Sequence, residues 1–161
     1  MRADTVTFDA DVSEDYSMAR PRFHLAFPVR DLGEARAFYK GVLGCAEGRS
    51  SDHWVDFDMM DHQIVAHLAH EETAGEATSD VGGHPVPLRH FGMILEWGDW
   101  EALRDRLLAA GTAFVIEPHV RFPGRAGEQA TMFFRDPSGN ALEFKAFRDE
   151  GQIFATDAKT Y

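Results

Sequence analysis

The stretch FHLAFPVRDLGEARAFYKGVLG, residues 23–44, decides the fold because a strand pattern runs directly into a helix pattern. Its first part, FHLAFPV, alternates in the manner of a strand. In its second part apolar residues recur at helical spacing, namely Ala35, Phe38, Tyr39 and Val42. Asp31 is the expected N-cap, with Glu34 three residues on completing a capping box, and Gly44 is the expected C-terminal stop.

The same order of elements returns in residues 90–111, HFGMILEWGDWEALRDRLLAAG, with Asp99 as the expected helix cap. Strand-like runs follow each helix: WVDFDMM and QIVAHLAH in the first block, and TAFVIEP, TMFFRD and ALEFKAF in the second. This repeat is too long and has too few copies for a solenoid. It predicts an α+β fold in which two βαβββ modules, residues 22–70 and 88–147, form a curved mixed β-sheet cleft with helices on the outside.

The modules together make one predicted domain, residues 21–147, flanked by less regular sequence. Residues 1–20 are acidic and predict an N-terminal extension, and residues 148–161 predict a tail. Residues 71–87 are polar and rich in Gly and Pro, which indicates a linker. The segment 120–129 predicts a long loop of the kind that often serves as a lid.

Composition excludes several classes of partner. The formal net charge of -11 disfavours nucleic acid and anionic lipid as primary partners, and no apolar run approaches the length of a membrane span. The single cysteine, Cys45, excludes an internal disulfide and is expected to be a buried apolar residue. The N-terminus does not have the pattern of a signal peptide, so the expected location is the cytoplasm.

Strand alternation places four polar residues on the sheet faces that point away from the helices: His24, His67, His90 and Glu143. In the alignment of the two blocks His24 matches His90, and His67 matches Glu143. Two imidazoles and a carboxylate in one concavity suit a divalent metal ion, and iron(II), manganese, nickel, cobalt and zinc are all chemically suitable. The alternative is that each histidine is an ordinary satisfied or surface residue of its strand.

Three segments carry a resemblance to the vicinal oxygen chelate superfamily: FHLAFPVRDLGEARAFYKGVLGC, HFGMIL and FFRDPSGNALEFKAF. This superfamily includes glyoxalase I, extradiol dioxygenases, and the fosfomycin- and bleomycin-resistance proteins. By resemblance, His24, His90 and Glu143 are the metal ligands, the substrate is a small molecule, and the chain is a homodimer whose cleft is sometimes shared between copies. The runs FHLAFPV and GCAEGRSSDHWVDFD also look like a subgroup of predicted extradiol-type dioxygenases.

The fourth position, His67, separates the members of this superfamily. Glyoxalase I enzymes generally have a glutamate there, which acts as ligand and base. Extradiol dioxygenases use only two histidines and one glutamate, which would leave His67 as a catalytic acid or base or as a bystander. A four-ligand site that includes His67 would point instead to a lyase, epimerase or isomerase.

Four further residues are candidates for binding the substrate: Arg49, Arg121, Arg125 and Gln129. The guanidinium fork suits carboxylate or enediolate oxygens, although loop arginines are often only solvated charges. The favoured function is a metal-dependent enzyme, extradiol dioxygenase-like and using iron(II), whose substrate chelates the ion through vicinal oxygens. The alternatives are a glyoxalase- or epimerase-like lyase or isomerase, and a bleomycin-resistance-type binding protein without catalysis.

Overall fold

The computed structural model describes residues 21–69, 77–81, 84–125 and 127–154. The predicted extension 1–20 and the end of the predicted tail lie outside the described residues. The first module contains β1 (His24–Val29), α1 (Leu32–Arg36), a π-helical continuation (Ala37–Val42), β2 (Ala46–Ser50), β3 (Trp54–Met59) and β4 (His62–Leu68). Its sheet has the order β1-β4-β3-β2, with β1 parallel to β4 and the other pairs antiparallel.

The predicted linker, residues 71–87, contains regular structure. Its second half holds a two-stranded antiparallel hairpin of β5 (Thr78–Val81) and β6 (His84–Pro87). The interpretation of residues 71–87 as a linker did not predict this hairpin. Its Gly and Pro content concealed the pairing, because those residues are normally depleted in strands.

The second module repeats the first. It contains β7 (His90–Phe91), α2 (Trp97–Ala109), β8 (Phe114–Arg121), β9 (Gln129–Arg135) and β10 (Ala141–Phe147), and its sheet has the order β7-β10-β9-β8. The strand order matches that of the first module element by element. The predicted α+β fold of two βαβββ modules is confirmed. Among the described residues, no helix is long and apolar enough to cross a membrane.

The two helix starts differ in how well the sequence predicted them. Asp31 is the N-cap of α1, and its carboxylate accepts a hydrogen bond from the Glu34 backbone N–H at 2.8 Å. The Glu34 side chain pairs with Arg30 rather than closing the capping box. In α2 the N-cap is Glu96 and Asp99 lies in the first turn, so the predicted cap was wrong. An acidic side chain in the first turn stabilises a helix by its interaction with the helix dipole. This explains why the sequence made Asp99 look like the N-cap.

A single apolar core joins the two modules. The ring of Phe38, from the first helix, packs 6.1 Å from that of Phe134 in β9. The indole of Trp100, from α2, donates a hydrogen bond to the Phe144 carbonyl at 2.9 Å. The helices thus cover one face of each sheet, and the opposite faces are left for His24, His90 and Glu143.

The turn Asp-Pro-Ser-Gly-Asn at residues 136–140, between β9 and β10, holds the two modules together through hydrogen bonds. Asp136 is buried, and its carboxylate accepts hydrogen bonds from the Tyr39 hydroxyl at 3.0 Å and from the Asn140 side chain at 2.8 Å. Asn140 also donates to the Pro28 carbonyl at 2.9 Å. Burial and the adjacent Asp136 carboxylate raise the pKa of Tyr39, so its hydroxyl stays a donor. This turn therefore ties β10 to the first strand and first helix.

Cys45 should be inert in the folded protein. Its thiol is buried, and burial raises its pKa to about 11, so little of the reactive thiolate exists near neutral pH. At a pH of about 8 we expect a chromogenic disulfide reagent to label the native chain at least about 100-fold more slowly than the unfolded chain. Equal labelling rates in the presence and absence of denaturant would contradict this.

Candidate metal centre

His90 and Glu143 face each other across the parallel strands β7 and β10. The Nε2 atom of His90 lies 3.4 Å from Oε2 of Glu143. The other ring nitrogen, Nδ1, lies 2.7 Å from the Pro87 carbonyl, which can only accept a hydrogen bond. Nδ1 therefore carries the proton in the neutral ring, and the Nε2 lone pair points toward the carboxylate. A ligating histidine is normally oriented in this way.

Glu143 is held in its charged form. Oε1 accepts a hydrogen bond from the Thr131 hydroxyl at 2.9 Å, and the Lys145 ammonium lies 3.2 Å from Oε2. Burial alone would raise the pKa of Glu143, but the contacts with His90, Lys145 and Thr131 outweigh it and lower that pKa. A divalent ion requires a deprotonated carboxylate and a neutral imidazole, so Glu143 is in the form that such an ion binds, and His90 must lose any proton on Nε2.

His24 lies in a different pocket, on the face of the first sheet that points away from its helix. That pocket has a volume of about 510 Å³, and Arg49, Asp56 and Gln63 are among its other lining residues. The side chain of His24 is exposed, and its Nδ1 atom lies 2.8 Å from Oε1 of Gln63. His90 and Glu143 line a second pocket, of about 210 Å³, together with Gly92 and residues 93–94 and 145.

The three predicted ligands do not converge within one copy of the chain. Across the described ranges, which omit residues 1–20, 70–76 and 155–161 among others, no three His, Cys, Asp or Glu side chains are arranged to hold a metal ion. The structure therefore brings together His90 and Glu143, and it leaves His24 apart from them. One copy therefore has two candidate ligands at one place and the third at another.

The strand register moves His67 away from its predicted equivalence with Glu143. His67 pairs with Pro28 in the first module, and Lys145 pairs with Ile94 in the second, each four residues beyond the histidine of its first strand. His67 is thus the counterpart of Lys145. At about 3.3 Å per residue, its Cα lies on the order of 13 Å along the strand from the level of His24. Gln63 occupies the position directly beside His24.

The substrate-binding candidates fall into two groups. Arg49 lines the pocket of His24, with its guanidinium 3.3 Å from the Asp56 carboxylate and over the Trp54 ring. Arg121 and Gln129 pair with each other where β8 and β9 meet their connecting loop, and Arg125 lies in that loop. Gln129 is four residues along β9 from Phe133, the residue that pairs with Glu143, or on the order of 13 Å.

Four polar side chains around the candidate ligands escaped the sequence prediction: Asp56, Gln63, Thr131 and Lys145. Two of them had a usable signal. Asp56 interrupts the buried strand WVDFDM, and Gln63 shares the alternation of His67. A buried acid in an apolar strand requires a partner, so Asp56 was a signal from which a polar network on this sheet could have been predicted.

The His90–Glu143 pair predicts how the stability of the metal-free protein depends on pH. The hydrogen bond with Glu143 raises the pKa of His90 above 6.5 despite burial, while the pKa of Glu143 lies below 4.5. A raised histidine pKa stabilises the fold below 6.5, and this contribution disappears as pH rises through the folded value. A lowered carboxyl pKa stabilises the fold above 4.5, and this contribution disappears as pH falls through the folded value.

We therefore expect the coupling free energy between His90 and Glu143 to be largest between pH 4.5 and 6.5. A double-mutant cycle with His90→Ala and Glu143→Gln, measured by urea unfolding with a chelator present, gives this coupling directly. A coupling that stays constant up to a pH of about 8.5 would contradict the assignment of the raised pKa to this pair.

Comparison with known proteins places this fold in one class, the small two-module proteins of the glyoxalase type. The family model described as Glyoxalase/Bleomycin resistance protein/Dioxygenase superfamily matches residues 23–144. The chain belongs to this family. The comparison with curated proteins finds no match.

Solved structures agree with the family assignment. A glyoxalase/bleomycin resistance protein/dioxygenase from Alicyclobacillus acidocaldarius is 33% identical, with 84% of this chain and 97% of that chain covered and a TM-score of 0.68. A lactoylglutathione lyase from Agrobacterium tumefaciens is 18% identical, with coverage of 86% and 99% and a TM-score of 0.60. The fosfomycin resistance protein FosX from Listeria monocytogenes is 17% identical, with coverage of 84% and 98% and a TM-score of 0.59. The last two likenesses concern the fold alone.

Proposed function

We propose that this chain is a metal-dependent enzyme of its family that acts on a small substrate with two neighbouring oxygens. The observation that carries the proposal is the His90–Glu143 pair, in which an oriented imidazole faces a charged carboxylate at 3.4 Å. An oriented imidazole and a charged carboxylate are two of the donors that a divalent ion takes. The favoured ion is iron(II) and the favoured reaction is extradiol dioxygenase-like, because two histidines and one glutamate form the facial ligand set of such oxygenases.

We propose further that His24 of a second copy completes this ligand set in a homodimer. The three candidate ligands fit a divalent ion chemically, but His24 lies in a separate pocket of its own copy. The exposure of His24 leaves its Nε2 atom available to a neighbouring copy. A two-fold symmetric dimer would then form two equivalent sites, each with residues from both copies.

The proposed role of each residue follows from its contacts. The bound ion supplies Lewis acidity toward the two substrate oxygens. His90 and Glu143 would hold it, Thr131 fixes one oxygen of Glu143, and Lys145 adds positive charge where an anionic substrate develops more negative charge. Arg49 is the proposed contact for an acidic group of the substrate, because it lines the pocket of His24.

The proposed role of His67 is that of an outer acid or base rather than a ligand. Its register position lies on the order of 13 Å along the sheet from His24, beyond the reach of a shared ion within one module. His67→Ala is therefore the matched control for ligand removal, since it deletes an exposed imidazole from the same sheet face. We also propose a cytoplasmic location, which suits a buried free thiol such as Cys45.

Metal analysis tests the shared site. We expect purified wild-type and His67→Ala protein to bind close to one ion per chain, and His24→Ala, His90→Ala and Glu143→Gln to lose it. Co-expression of His24→Ala with His90→Ala should restore about a quarter of the sites, since half of random dimers are mixed and each mixed dimer has one intact site. No restoration would contradict a site shared between copies. A metal-free wild type unchanged by His24→Ala would overturn the enzyme proposal.

Oxygen uptake then tests the reaction type. The iron(II)-loaded protein should consume dioxygen with a panel of catechols, and the oxygen consumption should disappear in Glu143→Gln. The protein would instead be a lyase or isomerase if it isomerised the hemithioacetal of a thiol and a 2-oxoaldehyde without consuming oxygen. This activity should be highest with nickel, cobalt or zinc. Tight binding of the panel with no turnover under either condition would assign a binding protein.

A further inference from the structure

His24 lies at the end of a chain of hydrogen bonds across the first sheet. Its Nδ1 atom lies 2.8 Å from Oε1 of Gln63, and Nε2 of Gln63 donates to Oδ2 of Asp56 at 3.1 Å. Gln63 is the strand neighbour of His24 in the parallel pair β1 and β4. Asp56 lies on the adjacent strand β3 and is buried, with 6% of its surface exposed. Neither the family assignment nor the proposed ligand set gives a role to Gln63 or Asp56.

The carboxylate of Asp56 fixes the direction of this chain. Oδ2 also accepts a hydrogen bond from Nε of Arg49 at 3.3 Å, so this end of the chain is an acceptor. The amide of Gln63 must therefore turn its NH2 group toward Asp56 and its oxygen toward His24. The reversed amide would place its oxygen against the carboxylate and leave a buried acceptor opposed to another acceptor.

An amide oxygen beside Nδ1 requires that Nδ1 carries the proton. The neutral ring of His24 then has its lone pair on Nε2, the atom directed away from the network. An unrestrained histidine side chain in water prefers the opposite tautomer, with the proton on Nε2, so the preference of His24 comes from Gln63. The second module reaches the same result with a backbone group, because the Pro87 carbonyl lies 2.7 Å from Nδ1 of His90.

We propose that Gln63 and Asp56 are positioning residues that hold His24 in the Nδ1–H tautomer and so present Nε2 as a ligand atom. Gln63 acts on His24 directly, and Asp56 acts through Gln63 by fixing the orientation of its amide. This inference rests on the proposed function only in taking His24 as a metal ligand. The two modules thus fix the tautomer of their histidines differently. The first module uses two side chains, which mutation can remove, and the second uses a main-chain carbonyl.

Long-range ¹H–¹⁵N NMR of the histidine rings tests the tautomer in the full chain without metal. At a pH of about 8.5 an unperturbed imidazole is neutral, so the two nitrogens report directly which one carries the proton. The His24 signals are assigned from their loss in His24→Asn. In the wild type we expect a protonated Nδ1 and an unprotonated Nε2. Gln63→Leu should shift His24 to the Nε2–H form, and Asp56→Asn should give a mixture, because the amide of Gln63 loses its fixed orientation.

The control for this measurement is Gln152→Leu, which makes the same side-chain change outside the sheets. It should leave the His24 spectrum as in the wild type, and the His90 signals should be unchanged in every variant because the Pro87 carbonyl remains. Backbone amide spectra confirm that each variant is folded. A wild-type His24 protonated on Nε2, or a folded Gln63→Leu with the wild-type tautomer, would overturn the proposal.

Zinc titration gives a second readout, because zinc binding needs no catalytic turnover. We expect Gln63→Leu to weaken zinc binding by roughly 10- to 100-fold, and Gln152→Leu to have no effect. Unchanged affinity in Gln63→Leu would overturn the positioning role. A wild type that shows the expected tautomer but binds no metal would refute the proposed function while supporting the hydrogen-bond assignment, so the two failures are distinct.

Discussion

Gly92→Ala should weaken metal binding at least about tenfold and destabilise the protein, although the substitution adds only a methyl group. A Cβ atom at Gly92 would overlap the carbonyl oxygen of Glu143 and lie 2.7 Å from its carbonyl carbon. These are backbone atoms of β10, so neither a rotamer change nor a small shift of one side chain can make room. The strand after His90 would have to move away from β10.

That movement would separate the two ligands. The chain after His90 is held against β10 by hydrogen bonds from Lys145 N–H to the Met93 carbonyl at 3.1 Å and from Leu95 N–H to the Lys145 carbonyl at 2.7 Å. We expect a loss of about 2–4 kcal/mol in the free energy of unfolding, from overpacking together with the broken backbone pairs. Metal affinity should fall at least about tenfold, because the His90–Glu143 geometry is lost.

Gly98→Ala is the matched control. Gly98 lies in the first turn of α2, and a Cβ atom there would meet nothing within 4 Å. Alanine is a better helix former than glycine, so we expect this variant to be as stable as the wild type or more stable by up to about 1 kcal/mol. Urea unfolding measures the stability of both variants, and zinc titration measures their metal affinity. If Gly92→Ala behaves like Gly98→Ala, the close approach to Glu143 does not constrain the site.

The sequence alone could predict which face of the sheet carries the site. Alternation assigned His24, His90 and Glu143 to the face away from the core. In the structure their strand neighbours, such as Phe27, Leu142 and Phe144, are indeed buried. This prediction was possible because successive side chains of a strand point to opposite faces. A buried face therefore appears in the sequence as apolar residues at every second position.

The register between strands could not be predicted in the same way. A shift of one residue exchanges the two faces and violates the apolar pattern, but a shift of two residues leaves every face unchanged. The matching of His67 with Glu143 contained such a two-residue error, which the pairing of His67 with Pro28 reveals. Only contacts between distant segments set that register, so local alternation could give the face of Gln63 but not its position beside His24.

The packing of the two modules against each other could not be predicted from local sequence patterns either. The repeat predicted two equivalent units, and their strand orders agree. Where His24 of one unit lies relative to Glu143 of the other depends on how Phe38 and Trp100 pack into the common core. Those contacts are long-range, and the alternation of each strand is compatible with a cleft inside one copy or between two copies.

Asp136→Ala should be among the most destabilising substitutions in the chain, since the buried carboxylate satisfies donors from both modules. Besides Tyr39 and the side chain of Asn140, it accepts hydrogen bonds from the backbone N–H groups of Ser138 at 2.9 Å and Asn140 at 2.8 Å. Removal leaves the buried Tyr39 hydroxyl without this acceptor and frees the turn. We expect a loss of about 3–5 kcal/mol in the free energy of unfolding.

Two further variants separate the causes of this loss. Asp149→Ala removes an exposed aspartate that accepts one backbone hydrogen bond, from Gly151 at 3.0 Å, and should cost only about 0.5–1 kcal/mol. Tyr39→Phe removes the buried hydroxyl and keeps the ring, so it should cost about 1–2 kcal/mol, less than Asp136→Ala. Urea midpoints at constant slope measure all three. An Asp136→Ala variant no less stable than Asp149→Ala would show that the turn does not hold the modules together. The predicted order instead makes Asp136 the link that fixes β10, and with it Glu143, against the first module.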